Sequence, residues 1–330
     1  MSDEAIYDGD SCNLVELTFE EMNVSGSPIR LCCIACLFFT ILVFVLSELS
    51  RNYSQTDKIW SITPFVYTWI LVCDTRTLLM AVISTVWGCR LTWNFNRRGG
   101  YKWPPWEGDE DYRWKYLQDG MLLSILQNNV AWTIFNVVFI SLYQHVLLFV
   151  VTAPSIVAHV AATKCATSGY SSSLNGLDIL ACLLYLGFVL LEGIADNQQY
   201  AFQTEKYRRK GAGETLDGEY LQGFKTSGLF SIVRKPNYAC EQALWVSFGL
   251  FSLSTFQSSI ARQSNIFNWS HVGWVLYVLL FQGSGPFTEK ITLTKYPLYA
   301  EYMKETPLFF PNILKLLFGK GKKVSDKKSE

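Results

Sequence analysis

The sequence predicts an all-α membrane protein, a polytopic bundle of about seven transmembrane helices with its N-terminus lumenal and its C-terminus cytosolic. Three observations predict it. Half of the 330 residues are hydrophobic and only 17% are charged, where soluble domains run nearer ~25% charged. The missing charge is absent from long apolar runs and concentrated in the connectors between them, and a crossing helix needs about 20 mostly apolar residues. Lys and Arg also cluster in alternate connectors, the asymmetry that fixes orientation in multi-spanning chains.

The first run is Ile29 to Ser47, without charge after Arg30. Ahead of it, residues 1–28 carry seven acids and no Lys or Arg. A signal peptide starts basic and then turns apolar, so this segment reads as a partly disordered acidic tail. Ser61 to Cys73 is a second, short run entered through Pro64, which is tolerated near a helix start. Asp74 to Arg76 breaks the chain, and Thr77 to Trp93 forms a third span with Arg90 in its last turn. Met121 to Ala162 is one apolar stretch of 42 residues, too long for a single crossing. It reads as an interfacial piece near Met121–Gln127, a span near Val130–Val151, then a wet or re-entrant piece to Ser173. Leu174–Ile194, Asn237–Thr255 and Trp269–Phe287 complete the set. A single transmembrane domain over residues 29–312 and a basic cytosolic tail over 313–330 follow.

Orientation comes from the basic loops. The 94–119 connector holds Arg97, Arg98, Lys102, Arg113 and Lys115, and the 196–235 connector holds seven Lys and Arg. Both, with the basic tail, should face the cytosol. Three spans precede the first loop, which places the N-terminus outside and leaves the Asn52-Tyr53-Ser54 sequon cytosolic and silent. Lys327-Lys328 near a cytosolic C-terminus has the form of an endoplasmic reticulum retrieval signal.

The composition excludes some classes. The formal net charge is zero and no basic-plus-aromatic module points to nucleic acid. The nine cysteines form neither a metal nor a disulfide framework by spacing; Cys33 and Cys36 make a lone C-x-x-C on an apolar helix and read as packing residues. No G-x-G-x-x-G or P-loop appears. His145, His159 and His271 lie far apart and form no triad or metal pattern.

Polar residues at the membrane edge are costly and so carry functional hypotheses. The densest set is Arg234-Lys235-Pro236-Asn237-Tyr238-Ala239-Cys240-Glu241. Pro236 can start a helix, which puts Asn237 and Glu241 on one face at i and i+4. Such a pair can grip an amide, a ribose or an adenine amine, and a helix start beside Arg234 and Lys235 favours phosphate. A plain interfacial helix start with snorkelling bases fits the same residues. A second set is Glu192, Asp196, Asn197, Gln198 and Gln199, equally readable as a polar helix end. A third is the helical stripe Arg90, Asn94, Arg97 and Arg98, suited either to phosphate or to positive-inside anchoring.

Several ordered motifs resemble the DUF1295 branch of the steroid 5-alpha-reductase-like membrane enzymes. They are Ser54 to Pro64, Trp87-Gly88-Cys89-Arg90 through Arg97-Arg98-Gly99-Gly100, Glu110 to Trp114, Ala195 to Gln199, Lys235-Pro236-Asn237-Tyr238 with Glu241, and the Tyr299 to Pro311 tail. The resemblance spans roughly residues 50–312. It implies a seven-helix bundle taking NADPH from the cytosol, with Asp196, Asn237, Tyr238 and Glu241 as cofactor contacts and Arg234, Arg90 and Arg98 as phosphate partners. Where the family often has Gly before the motif's Glu, this chain has Cys240. The implied reaction is hydride transfer to a carbon–carbon double bond of a lipid: a steroid, sterol, polyprenol or enoyl type. Asp57 and Tyr67 are the candidates for its acid. Isoprenylcysteine carboxyl methyltransferases, which use S-adenosylmethionine, look similar in the C-terminal half, and a non-enzymatic lipid-binding protein is the third reading.

Overall fold

The computed structural model describes residues 12–165, 170, 173–256 and 266–312. Among them the chain is all-helical, with one isolated antiparallel bridge between Tyr170 and Phe256. The tail that carries Lys327-Lys328 lies outside the described residues.

In chain order the helices are α1 (Leu14–Asn23), α2 (Pro28–Ser50), α3 (Gln55–Trp60), α4 (Thr63–Ile70), α5 (Thr75–Arg97), α6 (Tyr112–Gln118), α7 (Asn129–Phe135), α8 (Gln144–Val150), α9 (Ala153–Lys164), α10 (Gly176–Gly211), α11 (Gly218–Gln222), α12 (Pro236–Ser254), α13 (His271–Lys295) and α14 (Tyr299–Glu305). Local chemistry explains many starts. Ser27 accepts from the Ile29 amide and Pro28 opens α2, a residue whose missing N–H costs nothing in the first turn. Asp74 and Thr77 form a reciprocal capping box at α5. Asn128 accepts from the amides of Val130 and Ala131 at α7.

Pro28–Ser50, Asn129–Val150 and Gly176–Gly211 are long and apolar enough to cross a bilayer. On α2 the outward side chains include Leu31, Ile34, Leu37, Phe38 and Ile41, all more than half exposed. A stripe of that size left open to water would drive association; in lipid it is the natural exterior. The chain is an integral membrane protein.

Two compact units make up the chain: one runs to Leu190 and resumes from Glu241 to Gly283, the other takes Leu191–Cys240 and the residues from Ser284 onward. The first unit holds two apolar clusters. One gathers Trp87, Leu148, Tyr185, Trp245, Phe248 and Tyr277 from α5, α8, α10, α12 and α13. The other gathers Ile29, Cys32, Tyr67, Leu71, Ile156 and Val160 from α2, α4 and α9. In the second unit Phe224 stacks among Tyr296, Tyr299 and Tyr302.

Several expectations change. The acidic tail carries a helix: Leu14, Thr18 and Glu21 recur at helical spacing and are buried, a stripe that the acid-rich composition masked. Glu21 pairs with Lys164 at 2.7 Å, and Cys12 is joined to Cys165 by a disulfide. That corrects the reading of nine unpaired cysteines; partners separated by 153 residues leave no spacing signature. The Ser61–Cys73 run is not one uninterrupted helix. It breaks at Ser61–Ile62, so that α3 leads into a separate α4 of eight residues. The supposed wet piece after Val151 is α9, with residues 153–161 all buried; a helix apolar all round belongs inside. The polar connector from Asp196 is helical as far as Gly211. No Gly or Pro interrupts it, and Glu205 pairs with Arg208 and Arg209 at i+3 and i+4, contacts that support an exposed helix. The last span runs past Pro286 to Lys295.

Between α7 and α8, residues Asn136–Tyr143 form a π-helical stretch. The widened turn leaves carbonyls for other donors: Thr56 Oγ1 donates to Ile140 O at 3.1 Å, and His145 Nδ1 lies 2.7 Å from Ser141 O.

Removing the Cys12–Cys165 link, which closes a loop of about 150 residues, should lower stability by about 2–5 kcal/mol. Under denaturing, non-reducing conditions Cys12→Ser should then take up one more maleimide than wild type, at Cys165, above the label on the free cysteines such as Cys73 and Cys89. Equal labelling of the two would refute the link.

Candidate functional site

Glu241 lies one turn into α12 and is 5% exposed. Its Oε2 accepts from Trp87 Nε1 at 2.9 Å. Its Oε1 accepts from Tyr277 Oη at 2.6 Å and from Trp245 Nε1 at 3.2 Å. Arg90 NH2 stands 4.0 Å from Oε2. Trp60 Nε1 donates in turn to Tyr277 Oη at 3.2 Å. Helices α3, α5, α12 and α13 thus converge on one buried carboxylate. A lone carboxylate there would be prohibitively costly; three neutral donors and one guanidinium make it tenable.

Arg90 begins the basic stripe expected on α5. Asn94 Oδ1 accepts from Arg97 Nε at 2.9 Å, and Arg98 Nε donates to the Asn94 carbonyl at 3.3 Å. Arg97 also lies over the Trp93 ring, 4.2 Å from its centroid. Arg97 and Arg98 are held at the end of the helix by Asn94, and Arg97 also by an aromatic face, the preorganisation an anion site needs, while Arg90 stands beside Glu241.

In the second unit Asn237 Nδ2 reaches Asp196 Oδ1 at 3.4 Å, so α10 and α12 bring together two residues from separate sequence motifs. Lys235 Nζ lies 5.9 Å from the Tyr238 ring centroid. Gln198 Oε1 accepts from the Leu229 amide at 3.0 Å. It also lies against Gly228, whose φ of +66° and missing Cβ permit the approach.

Arg234 is placed differently from expectation. Its Nε and NH2 bind both oxygens of Glu289 at 2.6 and 2.9 Å. Its NH1 donates to the carbonyls of Met303 and Thr306. Tyr299 donates to the same Glu289 at 2.9 Å, and the amides of Arg234 and Lys235 bond to the carbonyls of Pro307 and Leu308. The guanidinium is committed to clamping the 299–308 segment, and a phosphate would have to displace an ion pair to reach it.

Neither proposed acid joins the Glu241 hub. Tyr67 is fully buried with its ring 5.1 Å from that of Phe149, and its carbonyl accepts from Cys32 Sγ at 3.8 Å; it is a packing residue between α2, α4 and α8. Asp57 accepts from Trp114 Nε1 at 3.3 Å. Around it the 99–111 loop is fastened to the 50–60 segment: Tyr53 N donates to Glu110 Oε1, Lys58 Nζ donates to the carbonyls of Pro105 and Glu107, and Asp111 N donates to Ser54 Oγ. Removal from water, and then the nearby Asp111 carboxylate, push the Asp57 carboxyl above the usual range. Burial opposes charge on Asp111 as well, but the Arg113 guanidinium, bound at 2.9 Å, outweighs it and holds Asp111 below the usual range.

A raised folded-state carboxyl binds protons more tightly than the unfolded chain does, so its contribution to stability falls as pH rises through the folded pKa. Asp57→Asn removes that penalty. The variant should melt higher than wild type at about pH 8, and the difference should shrink toward about pH 4, near the unfolded value. A constant difference across that range would contradict the assignment.

The residue that sequence reasoning missed is Tyr277. It sits in the apolar run of α13 with no charged neighbour to mark it. The one signal was the rule that any polar group inside a span needs a partner.

Residues 43–306 match the family described as a protein of unknown function, DUF1295. An uncharacterized protein of Schizosaccharomyces pombe is 28% identical over 313 residues, covering 90% of this chain and 84% of that protein. No solved structure matches. The chain belongs to the DUF1295 family.

Proposed function

We propose that the chain is an NADPH-dependent reductase of the membrane that saturates a carbon–carbon double bond in a lipid. The observation that carries this reading is Tyr277, a phenol buried among apolar helices and held between the Glu241 carboxylate and the Trp60 indole. A hydroxyl fixed in that way is a proton source of defined direction. The resemblance of the flanking motifs to steroid 5-alpha-reductase-like enzymes supports the choice of reaction.

NADPH, when bound, supplies the hydride. The protein's own part is to hold, orient and protonate. In the second unit the Asp196–Asn237 pair has the donor and acceptor pattern that grips a ribose or an amide, with Tyr238 beside it. Tyr277 turns its O–H from Glu241 and gives the proton to the substrate; the Trp60 indole, which donates to the phenol oxygen, stabilises the negative charge left there, and Glu241 holds the phenol in place beforehand. The apolar packing around the hub excludes water.

The same reading takes seven crossings, with the N-terminus lumenal and the C-terminus cytosolic, and residence in the endoplasmic reticulum. A disulfide on the N-terminal side supports it, since such links persist in oxidising compartments. Asn52 supports it as well: its side chain is engaged by Gly108 O and by the Ser54 amide, as suits a sequon without glycan.

Tyr277→Phe should reduce turnover by about 10²- to 10⁴-fold while the thermal shift produced by NADPH persists. Stabilisation of wild type by S-adenosylmethionine and not by NADPH would overturn the reading in favour of a methyltransferase.

A further inference from the structure

In the first unit the end of α2 opens on a polar cleft of about 380 Å³, lined by Ser50, Asn52, Lys102, Trp106, Glu107 and Gly108. That volume lies in the range of small-molecule sites. The walls are fastened in place. Asn52 Nδ2 donates to Gly108 O at 3.0 Å, Gln55 Nε2 donates to Trp106 O at 2.8 Å, and Lys58 Nζ donates to Glu107 O at 2.6 Å. Gly108 has a φ of +129°, and a side chain there would meet the Gly100 carbonyl. The backbone of the loop thus holds the cleft open, and the side chains of Lys102, Trp106 and Glu107 stay exposed at its mouth.

Those three side chains carry complementary chemistry. Lys102 binds Asp109 at 2.5 Å and is 52% exposed, so its ammonium keeps N–H groups for a second acceptor. The Glu107 carboxylate has no hydrogen bond or ion pair among the described residues. The Trp106 ring, 48% exposed, offers a face to a cation. Both signs of charge stand together, unlike the all-basic cluster that marks an anionic lipid.

An apolar track leads to the cleft. On α2, Ile34, Phe38, Leu42, Leu46 and Ser50 recur every four residues and form one ridge. Ile34 and Phe38 are more than half exposed and Leu42 is 37% exposed. The ridge ends at Ser50, in the cleft. Trp103, on the same loop, is 86% exposed, and indoles favour the headgroup level of a bilayer.

We infer that the cleft is a binding site for the headgroup of a zwitterionic phospholipid, with its phosphate on Lys102, its ammonium on Glu107 and Trp106, and an acyl chain along the α2 ridge. The lipid is a bound component on the outside of the bundle and not the molecule reduced, so the site stands whether or not the chain is a reductase.

Full-length protein in detergent, freed of lipid, is titrated with dioleoyl phosphatidylethanolamine, dioleoyl phosphatidylglycerol and dioleoylglycerol, and bound lipids are counted by native mass spectrometry. Wild type should bind the ethanolamine lipid about three- to fivefold more tightly than the glycerol lipid, the scale of one exposed charge pair. Glu107→Lys should invert that order, an outcome that loss of folding does not produce. Lys102→Met should weaken both phospholipids alike, since both carry phosphate, and dioleoylglycerol should bind more weakly than either on wild type. Thermal melts check each variant. Equal affinity of wild type for the two phospholipids, a preference that Glu107→Lys leaves in place, phospholipid binding untouched by Lys102→Met, or dioleoylglycerol binding as tightly as the ethanolamine lipid would overturn the site.

Discussion

Glu241→Gln should cost at least about 10²-fold in NADPH-dependent turnover and destabilise the fold by about 1–3 kcal/mol. The carboxylate accepts from Trp87, Trp245 and Tyr277 at once. An amide has one acceptor oxygen, and its nitrogen would meet an indole or phenol that also donates. At least one donor is orphaned, and Arg90 loses the counter-charge 4.0 Å away. Glu241→Ala should be worse, because all three donors lose their partner in a cavity. Turnover and melting temperature measured together separate the contributions: Glu241→Gln that melts below wild type yet turns over normally would make the hub purely structural.

The second large effect is expected at a site with no part in the chemistry. Arg76 and Asp178 are both completely buried, joined through Nε at 2.9 Å and NH2 at 3.1 Å. Asp178 also accepts from Ser254 and from the Asn175 amide, and Arg76 reaches the Ser173 carbonyl. The pair ties the starts of α5 and α10 to the end of α12. Removing one partner leaves an uncompensated buried charge, a loss of about 3–5 kcal/mol. Asp178→Leu alone should therefore fail to accumulate or melt far below wild type, while Arg76→Met combined with Asp178→Leu should recover most of the loss. A double variant as poor as the sum of the two singles would contradict the compensation.

These two sites show where the sequence was readable. Spans with a strong start signal, such as Ser27-Pro28 and Pro236, were located to within a few residues. The motifs that hold Asn237 and Asp196 were each visible as polar sets, but their contact was not; only the family resemblance placed the two on one cofactor. The misses share one cause: they depend on partners distant in the chain. Arg76 and Asp178 are 102 residues apart, Cys12 and Cys165 are 153 apart, and Tyr277 stands alone in an apolar run. Local composition also misled at α1 and at the Asp196–Gly211 extension of α10. There, acidic and polar residues signalled coil while their spacing was helical. Arg234 failed in another way. Its position beside a helix start suited a phosphate, but Glu289, which satisfies it, lies 55 residues on.

The most direct measurement follows a labelled hydride. Membranes containing the full-length chain are incubated with NADPH deuterated at the transferable position of its nicotinamide ring, and total lipids are read by mass spectrometry. One lipid class should gain two hydrogens, one of them deuterium, with wild type and not with Tyr277→Phe. Folded wild-type protein that transfers no deuterium to any lipid would contradict it.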